Sequence, residues 1–288
     1  MRAYLPGYEL RAPANLDEAL CLLEREPEAW MPFAGGTDLM VLLEFGKLRP
    51  GKFLSLWNLR ELQGIEEAPE HVTLGALTTY SEIQRNVILQ REFPMLCQAA
   101  RETGAVAIQN RGTLAGNIAN ASPAADSPPA LLAYDGQVEL ISEGGKRWVP
   151  YREFHVGYKK TLRRSNELIS RVRLSRLSKY SRQSYRKVGT RRAQAISKVC
   201  FAGVLQMEGM GIREVRLAFG SVATIPLRCH KTESTLWGQP ITARLLDFAK
   251  ETLWQELSPI DDFRSTADYR RRVATNLLEE FLTHPQES

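Results

Sequence analysis

The chain has 288 residues, 43% hydrophobic and 25% charged, an ordinary globular composition that excludes a disordered or fibrous protein. No stretch approaches the roughly 18 apolar residues of a membrane span, and the opening Met1-Arg2-Ala3-Tyr4-Leu5-Pro6-Gly7 lacks the apolar region of a secretory signal, so a soluble cytoplasmic protein is expected. The net charge of +5 is unevenly spread, since residues 159–198 hold 14 of the 38 Lys and Arg against one acid, Glu167. Such a segment suits nucleic acid, an acidic partner subunit or a phosphorylated ligand, or simply forms a solvated sheet face. Cys21, Cys97, Cys200 and Cys229 lie far apart with no C-x-x-C pair, which argues for buried free thiols and against a disulfide framework or a metal cage.

Asn15 can cap a helix whose third position is Glu18 and whose apolar face is Leu16, Ala19, Leu20 and Leu23. Trp30-Met31-Pro32-Phe33-Ala34 reads as a strand, Gly35-Gly36-Thr37-Asp38 as a turn, and residues 39–43 as the opening of a second helix. Residues 53–56 and 71–76 have strand character, and Thr79 with Glu82 repeats the capping-box spacing before Ile83. Residues 94–103 are helical in pattern. Residues 104–120 then turn rich in Gly, Asn and Thr and suggest a ligand loop, with Ser122-Pro123 and Ser127-Pro128-Pro129 bracketing a short element. Leu168, Val172 and Leu174 alternate with Arg171 and Arg173 as in a strand. Beyond them come strand character over residues 212–217, a turn at Phe219-Gly220-Ser221-Val222-Ala223, and helical patterns at residues 243–257 and 266–281, which together indicate a separate α+β unit. The division falls near residue 178.

A glycine turn that opens a helix offers free backbone N–H groups to an anion, and without Cβ atoms it lets a phosphate come close. Gly35-Gly36-Thr37-Asp38 suits that use, although it matches neither G-x-G-x-x-G nor the P-loop pattern and serves equally as a simple turn. The second loop, residues 112–122, gathers small and hydrogen-bonding residues, so one loop for each side of a diphosphate is expected. Asp126 follows near Pro123 and Pro128, where a carboxylate can accept ribose or ribityl hydroxyls or else lie solvated in a turn.

Pro32-Phe33-Ala34-Gly35-Gly36-Thr37-Asp38-Leu39 together with Gly112-Thr113-Leu114-Ala115-Gly116-Asn117-Ile118-Ala119-Asn120-Ala121-Ser122-Pro123-Ala124-Ala125-Asp126 resembles the paired FAD loops of the medium subunits of molybdenum hydroxylases, such as xanthine dehydrogenase and carbon monoxide dehydrogenase. The likeness continues through Tyr185, Lys187, Gly189, Arg191 and Ala193, then Ala195-Ile196-Ser197, Phe219-Gly220 to Arg228, and Arg264-Ser265 to Tyr269-Arg270. The resemblance implies an α+β fold: an FAD-binding PCMH-type domain of two α/β subdomains over residues 1–178, followed by a smaller C-terminal α+β domain over residues 179–288 with a three-stranded sheet and helices. It implies that Ala34, Gly35, Gly36, Thr37 and Asp38 wrap the FAD diphosphate and that Thr113, Gly116, Asn117, Asn120 and Asp126 complete the flavin and ribityl contacts. It further implies that Leu168 and Ile169 pack near the flavin or adenine, and that Lys187 lies near the flavin, where a fixed positive charge favours the anionic reduced ring. One departure stands out. The family usually carries a glycine where this chain has Ala115, so either that residue has a negative φ or the loop shifts.

The same resemblance implies an electron-transfer subunit, an oxidoreductase component that passes electrons from a partner's 2Fe–2S clusters through FAD to NAD or another acceptor. A molybdenum-cofactor large subunit and a 2Fe–2S small subunit are the implied partners, and purine (xanthine) is the favoured substrate of the complex, ahead of carbon monoxide or other heterocycles. No nucleic acid is expected. A nucleic-acid or assembly module built on the basic segment is the competing class, but Tyr158, Tyr180 and Tyr185 are its only stacking candidates. A stand-alone flavoprotein related to sugar-nucleotide reductases is a third reading, which the C-terminal likeness opposes.

Overall fold

The side chain of Asn15 accepts from the Glu18 N–H at 2.9 Å and starts the helix Leu16–Arg25 where the sequence predicts it. In the computed structural model, which describes residues 7–49, 51–191 and 194–283, Ala19, Leu20 and Leu23 of this helix are buried with Trp30 and Leu54. The opening residues 1–6 and Ala193 lie outside the described residues. Trp30 and Leu54 belong to a three-stranded parallel sheet in the order Tyr8–Arg11, Gly51–Ser55, Trp30–Phe33. The edge strand Trp30–Phe33 runs through Gly35 and Gly36 into the helix Thr37–Glu44, which begins two residues earlier than the sequence suggests.

A second subdomain is built on a five-stranded antiparallel sheet in the order Ile65–Glu67, His71–Gly75, Leu168–Ser175, Gln137–Ser142, Gly145–Pro150. Its central strand, Leu168–Ser175, is the last of the five in the chain. Leu168, Val172 and Leu174 are buried, whereas Arg171 pairs with Glu66 at 2.6 Å and Arg173 donates to Gln137 while its guanidinium lies over Trp148. A register shift between Ile169 and Arg171 breaks the strict alternation and lets Leu168 and Ile169 both be buried. Thr79 and Glu82 form the expected capping box of the helix Tyr80–Arg85.

Residues 104–120 differ from expectation. They are largely helical, as Val106–Gln109 and Leu114–Asn120, and not a polar loop. Leu114, Ala115 and Ile118 are buried and Thr113 caps the helix by accepting from the Gly116 N–H, so packing and a cap override the poor helix propensity of Gly116, Asn117 and Asn120.

The C-terminal unit is an antiparallel meander of three long strands, Arg182–Val188, Val199–Glu208 and Gly211–Gly220, with a two-residue edge strand, Leu227–Arg228, beyond the three expected. The middle strand is buried on both faces. Cys200, Ala202 and Val204 join the core of the N-terminal half, while Val199, Phe201 and Leu205 join a second core completed by the helices Ala243–Glu256 and Ala267–Thr283. The helix Pro128–Ala133, buried at every position, packs against this sheet. Its last carbonyls are satisfied from the sheet: Arg228 donates to Leu132 O at 2.9 Å and Arg216 to Ala133 O at 3.1 Å, and both arginines also pair with Asp135 at 2.8 Å. Among the described residues no helix is long and apolar enough to cross a membrane, and the four cysteines are free, three of them buried.

Gly203 lies where the middle strand meets the second core, and a Cβ there would stand 2.5 Å from the Phe201 ring and 2.9 Å from the Phe281 ring. Gly203→Val is therefore expected to overpack this core and cost about 1–3 kcal/mol. A thermal melt followed by circular dichroism measures it; an unchanged midpoint would mean that the aromatic pair yields freely.

Candidate functional site

The turn that leaves the strand Trp30–Phe33 passes directly over the second motif. A Cβ on Gly35 would stand 1.7 Å from the carbonyl oxygen of Arg111, so only glycine permits this backbone-to-backbone approach. Gly36 follows as N-cap of the helix Thr37–Glu44 with φ 73°, in the left-handed region, and has no side chain to cap the first-turn N–H groups. The positive end of this helix is thereby left open to an anion. Asp38 Oδ1 accepts from Asn120 Nδ2 at 3.2 Å, and Asn120 Oδ1 accepts from Lys159 Nζ at 3.0 Å, a polar chain that links three distant segments.

The second motif contributes differently from the first. The Leu114 N–H donates to Thr78 O at 2.9 Å, the Ala115 N–H to Ala76 O at 3.3 Å and the Gly116 N–H to Thr113 Oγ1 at 3.1 Å, so its first turn is satisfied within the protein. Of the two loops expected to offer free backbone N–H groups, only the one ending at Gly36 leaves the start of its helix uncapped; the other presents side chains. Ala115 lies in this helix, outside the residues of positive φ, so its methyl group requires no shift of the chain. Asn117 Oδ1 is buried and has no hydrogen-bond partner, an acceptor left for something outside the protein.

Between the two motifs lies a cavity of about 650 Å³, within the range usual for cofactor sites. Ala34, Gly35, Gly36, Thr37, Asp38, Thr113, Gly116, Asn117, Asn120, Leu168 and Ile169 all line it. Leu56, Ala76, Leu77, Tyr80 and Ile108 extend the apolar wall, and Thr103, Lys159, Thr161 and Arg163 add polar groups, none of them singled out from the sequence. The excess of basic residues over 159–198 was the one available signal for Lys159 and Arg163; the apolar residues are indistinguishable in sequence from ordinary core.

Asp126 and Lys187 stand one layer behind the wall. They form an ion pair of 2.7 Å, Lys187 also donates to Glu102 O at 2.8 Å, and Thr103, which does line the cavity, donates to Asp126 Oδ2 at 3.5 Å. The C-terminal sheet draws this loop away: Tyr185 Oη donates to Asp126 O at 3.0 Å, Ser197 Oγ to Ala124 O at 3.0 Å, and the Ser221 N–H to Pro123 O at 2.8 Å. The buried Arg270 braces the clamp by donating to Ser221 O and Lys198 O and pairing with Asp262 at 2.7 Å. Burial pushes the Asp126 carboxyl up to about 6 despite the attraction of Lys187, and its Oδ1 is buried without a partner.

Residues 6–176 match the model of the FAD binding domain in molybdopterin dehydrogenase, and residues 183–284 match the CO dehydrogenase flavoprotein C-terminal domain. The chain is 30% identical over 272 residues to a putative xanthine dehydrogenase FAD-binding subunit of Escherichia coli (strain K12), covering 94% of this chain and 93% of that one. It is 31% identical over 270 residues to the glyceraldehyde dehydrogenase medium chain of Sulfolobus acidocaldarius, covering 94% and 95%. Among solved structures, carbon monoxide dehydrogenase from Hydrogenophaga pseudoflava superposes with a TM-score of 0.91 at 27% identity, covering 96% of each chain.

Two outcomes follow from the geometry. Gly35→Ala places a methyl group inside the Arg111 carbonyl, so the cavity wall must part; a destabilisation of several kcal/mol is expected in urea unfolding, at the large end for single substitutions. An unaltered midpoint would contradict the close approach. For Asp126, the folded chain keeps the proton to a higher pH than the ordinary value of 3.8. The stability due to that proton is complete below about 3.8 and is lost as pH rises through about 6. Relative to Asp126→Asn, the parent protein should therefore lose stability across that window, and a pH-independent difference would contradict the burial of the carboxyl.

Proposed function

The chain belongs to the family of FAD-binding medium subunits of molybdenum hydroxylases, and on that premise we propose that it is the flavin outlet of a purine-oxidising complex. The observation that carries this reading is the meeting of both glycine motifs on one cavity, with an uncapped helix start at Gly36 and a partnerless buried acceptor at Asn117. Gly35, Gly36, Thr37 and Asp38, with Ala34 before them, would hold the diphosphate. Thr113, Gly116, Asn117 and Asn120 would take the polar edge and ribityl hydroxyls. Leu168, Ile169 and Leu77 would pack against a planar ring. Asp126 and Lys187 would act from behind Thr103, by charge rather than by lining the cavity. Bound there, FAD supplies the exchange between one-electron carriers and a two-electron acceptor, while the chain supplies position, an apolar wall and a fixed electrostatic field.

The relatives are named as an FAD-binding subunit and a medium chain of dehydrogenases, which supports assigning the molybdenum cofactor to a large partner subunit and the 2Fe–2S clusters to a small one; NAD is the proposed acceptor. A xanthine dehydrogenase subunit among the relatives supports a purine substrate. A carbon monoxide or heterocycle dehydrogenase is the second reading, favoured by the 0.91 TM-score to carbon monoxide dehydrogenase.

Gly36→Val forces a β-branched residue into the left-handed region at the anion cradle, and the FAD content of the purified chain is expected to fall several-fold by heat release and fluorescence. Undiminished flavin would contradict the cradle. Isolation of the chain with its partners, metal analysis, and assay with xanthine, carbon monoxide and NAD tests the rest. Molybdenum, iron and purine-dependent NADH formation support the proposal; oxidation of carbon monoxide alone favours the second reading, and a complex without molybdenum would refute both.

A further inference from the structure

The proposed diphosphate site leaves a charge unanswered. Each phosphate of FAD is negative, yet the glycine motifs bring only one charged side chain to the cavity wall, and that side chain, Asp38, is acidic. The start of a helix supplies roughly half a positive charge. Lys187, the cation expected from the sequence, is committed to Asp126 outside the wall. Two other cations do line the cavity, Lys159 and Arg163, from the segment containing the short strands His155–Gly157 and Lys160–Thr161.

Acids of the fold answer part of the basic segment. Arg171, Arg176, Arg186 and Lys187 pair with Glu66, Glu92, Glu280 and Asp126. Among the described residues, neither Lys159 nor Arg163 has a carboxylate within ion-pair distance; the one contact of Lys159 Nζ is the neutral Asn120 Oδ1 at 3.0 Å. Arg163 donates through Nη1 to the carbonyls of Arg164 at 2.9 Å and Glu167 at 2.8 Å, which fixes the guanidinium and leaves its other nitrogens for another acceptor. Burial holds Arg163 below the usual arginine range although the Glu167 carboxylate acts on it through its field, so a bound anion would relieve a cost that Glu167 only partly offsets. Lys159 adopts φ 54°, a left-handed conformation uncommon for a lysine, at the turn that carries its side chain to the cavity.

We propose that Lys159 and Arg163 are the cationic contacts of the FAD diphosphate, Lys159 exchanging its bond to Asn120 for a phosphate oxygen and Arg163 meeting the same group with its uncommitted nitrogens. The assignment rests on the FAD reading of this cavity. It gives part of the basic segment a ligand, whereas most of its remaining charge is met by acids and polar groups of the fold.

The test is FAD affinity of the 288-residue chain, freed of any bound flavin and followed by flavin fluorescence at low and high ionic strength. Lys159→Asn removes the charge while keeping a residue that tolerates the left-handed backbone. Arg163→Gln does the same in the wall, with circular dichroism to verify folding. Each is expected to weaken FAD binding roughly tenfold, the scale of one charge-assisted hydrogen bond, and to make affinity less sensitive to salt. Unchanged affinity in a folded Lys159→Asn variant would overturn the proposal, and so would a loss with the salt dependence of the parent, because that pattern marks a packing role. Failure of the parent chain itself to bind FAD would instead count against the reading of the cavity.

Discussion

Gly35 lies against the carbonyl of Arg111 with no space for a side chain, and the architecture of the site depends on that contact. It brings the start of the helix Thr37–Glu44 to the face of the second motif, and the cavity is what remains between them. A larger residue at Gly35 would separate the two walls whatever the rest of the site offered. The chemistry on the two walls is then complementary: backbone N–H groups on one, and on the other side chains fixed by a helix whose own first turn is already satisfied.

The C-terminal unit supports this arrangement from behind. Its middle strand is buried on both faces, so the sheet cannot move without exposing one of two cores. Tyr185, Ser197 and Ser221 hold three carbonyls of the loop before Pro128, and Arg216 and Arg228 hold the end of the helix that follows. The parts of the C-terminal sequence that resemble the flavin subunits, around Tyr185, Ser197, Gly220 and Arg270, thus act largely through the position of one loop. Asp126 sits at the end of that loop, where its carboxylate, Lys187 and Thr103 form a short polar path from the C-terminal sheet to the cavity. A charge placed there reaches the cavity through a poorly hydrated medium, in which its field is weakly screened.

Much of this was legible in the sequence because the determinants are local. Asn15 with Glu18, Thr79 with Glu82, and the strand, glycine turn and helix around Gly35 are read from a few neighbouring residues, and all form, the last with its helix starting two residues early. The helix Leu114–Asn120 was hidden because its composition is that of a loop and its stability comes from burial of Leu114, Ala115 and Ile118. The retreat of Asp126 and Lys187 from the wall was invisible for a similar reason, since it is set by partners distant in sequence. Which cations of the basic excess over residues 159–198 are answered by acids could not be read from the sequence, because Glu66, Glu92 and Glu280 lie far from them in the chain.

The most direct test is a crystal structure of this chain with FAD. The diphosphate is expected at the first-turn N–H groups after Gly36, with the isoalloxazine or adenine against Leu168 and Ile169. A diphosphate bound away from Gly36, or FAD bound outside the cavity between the two motifs, would contradict this placement.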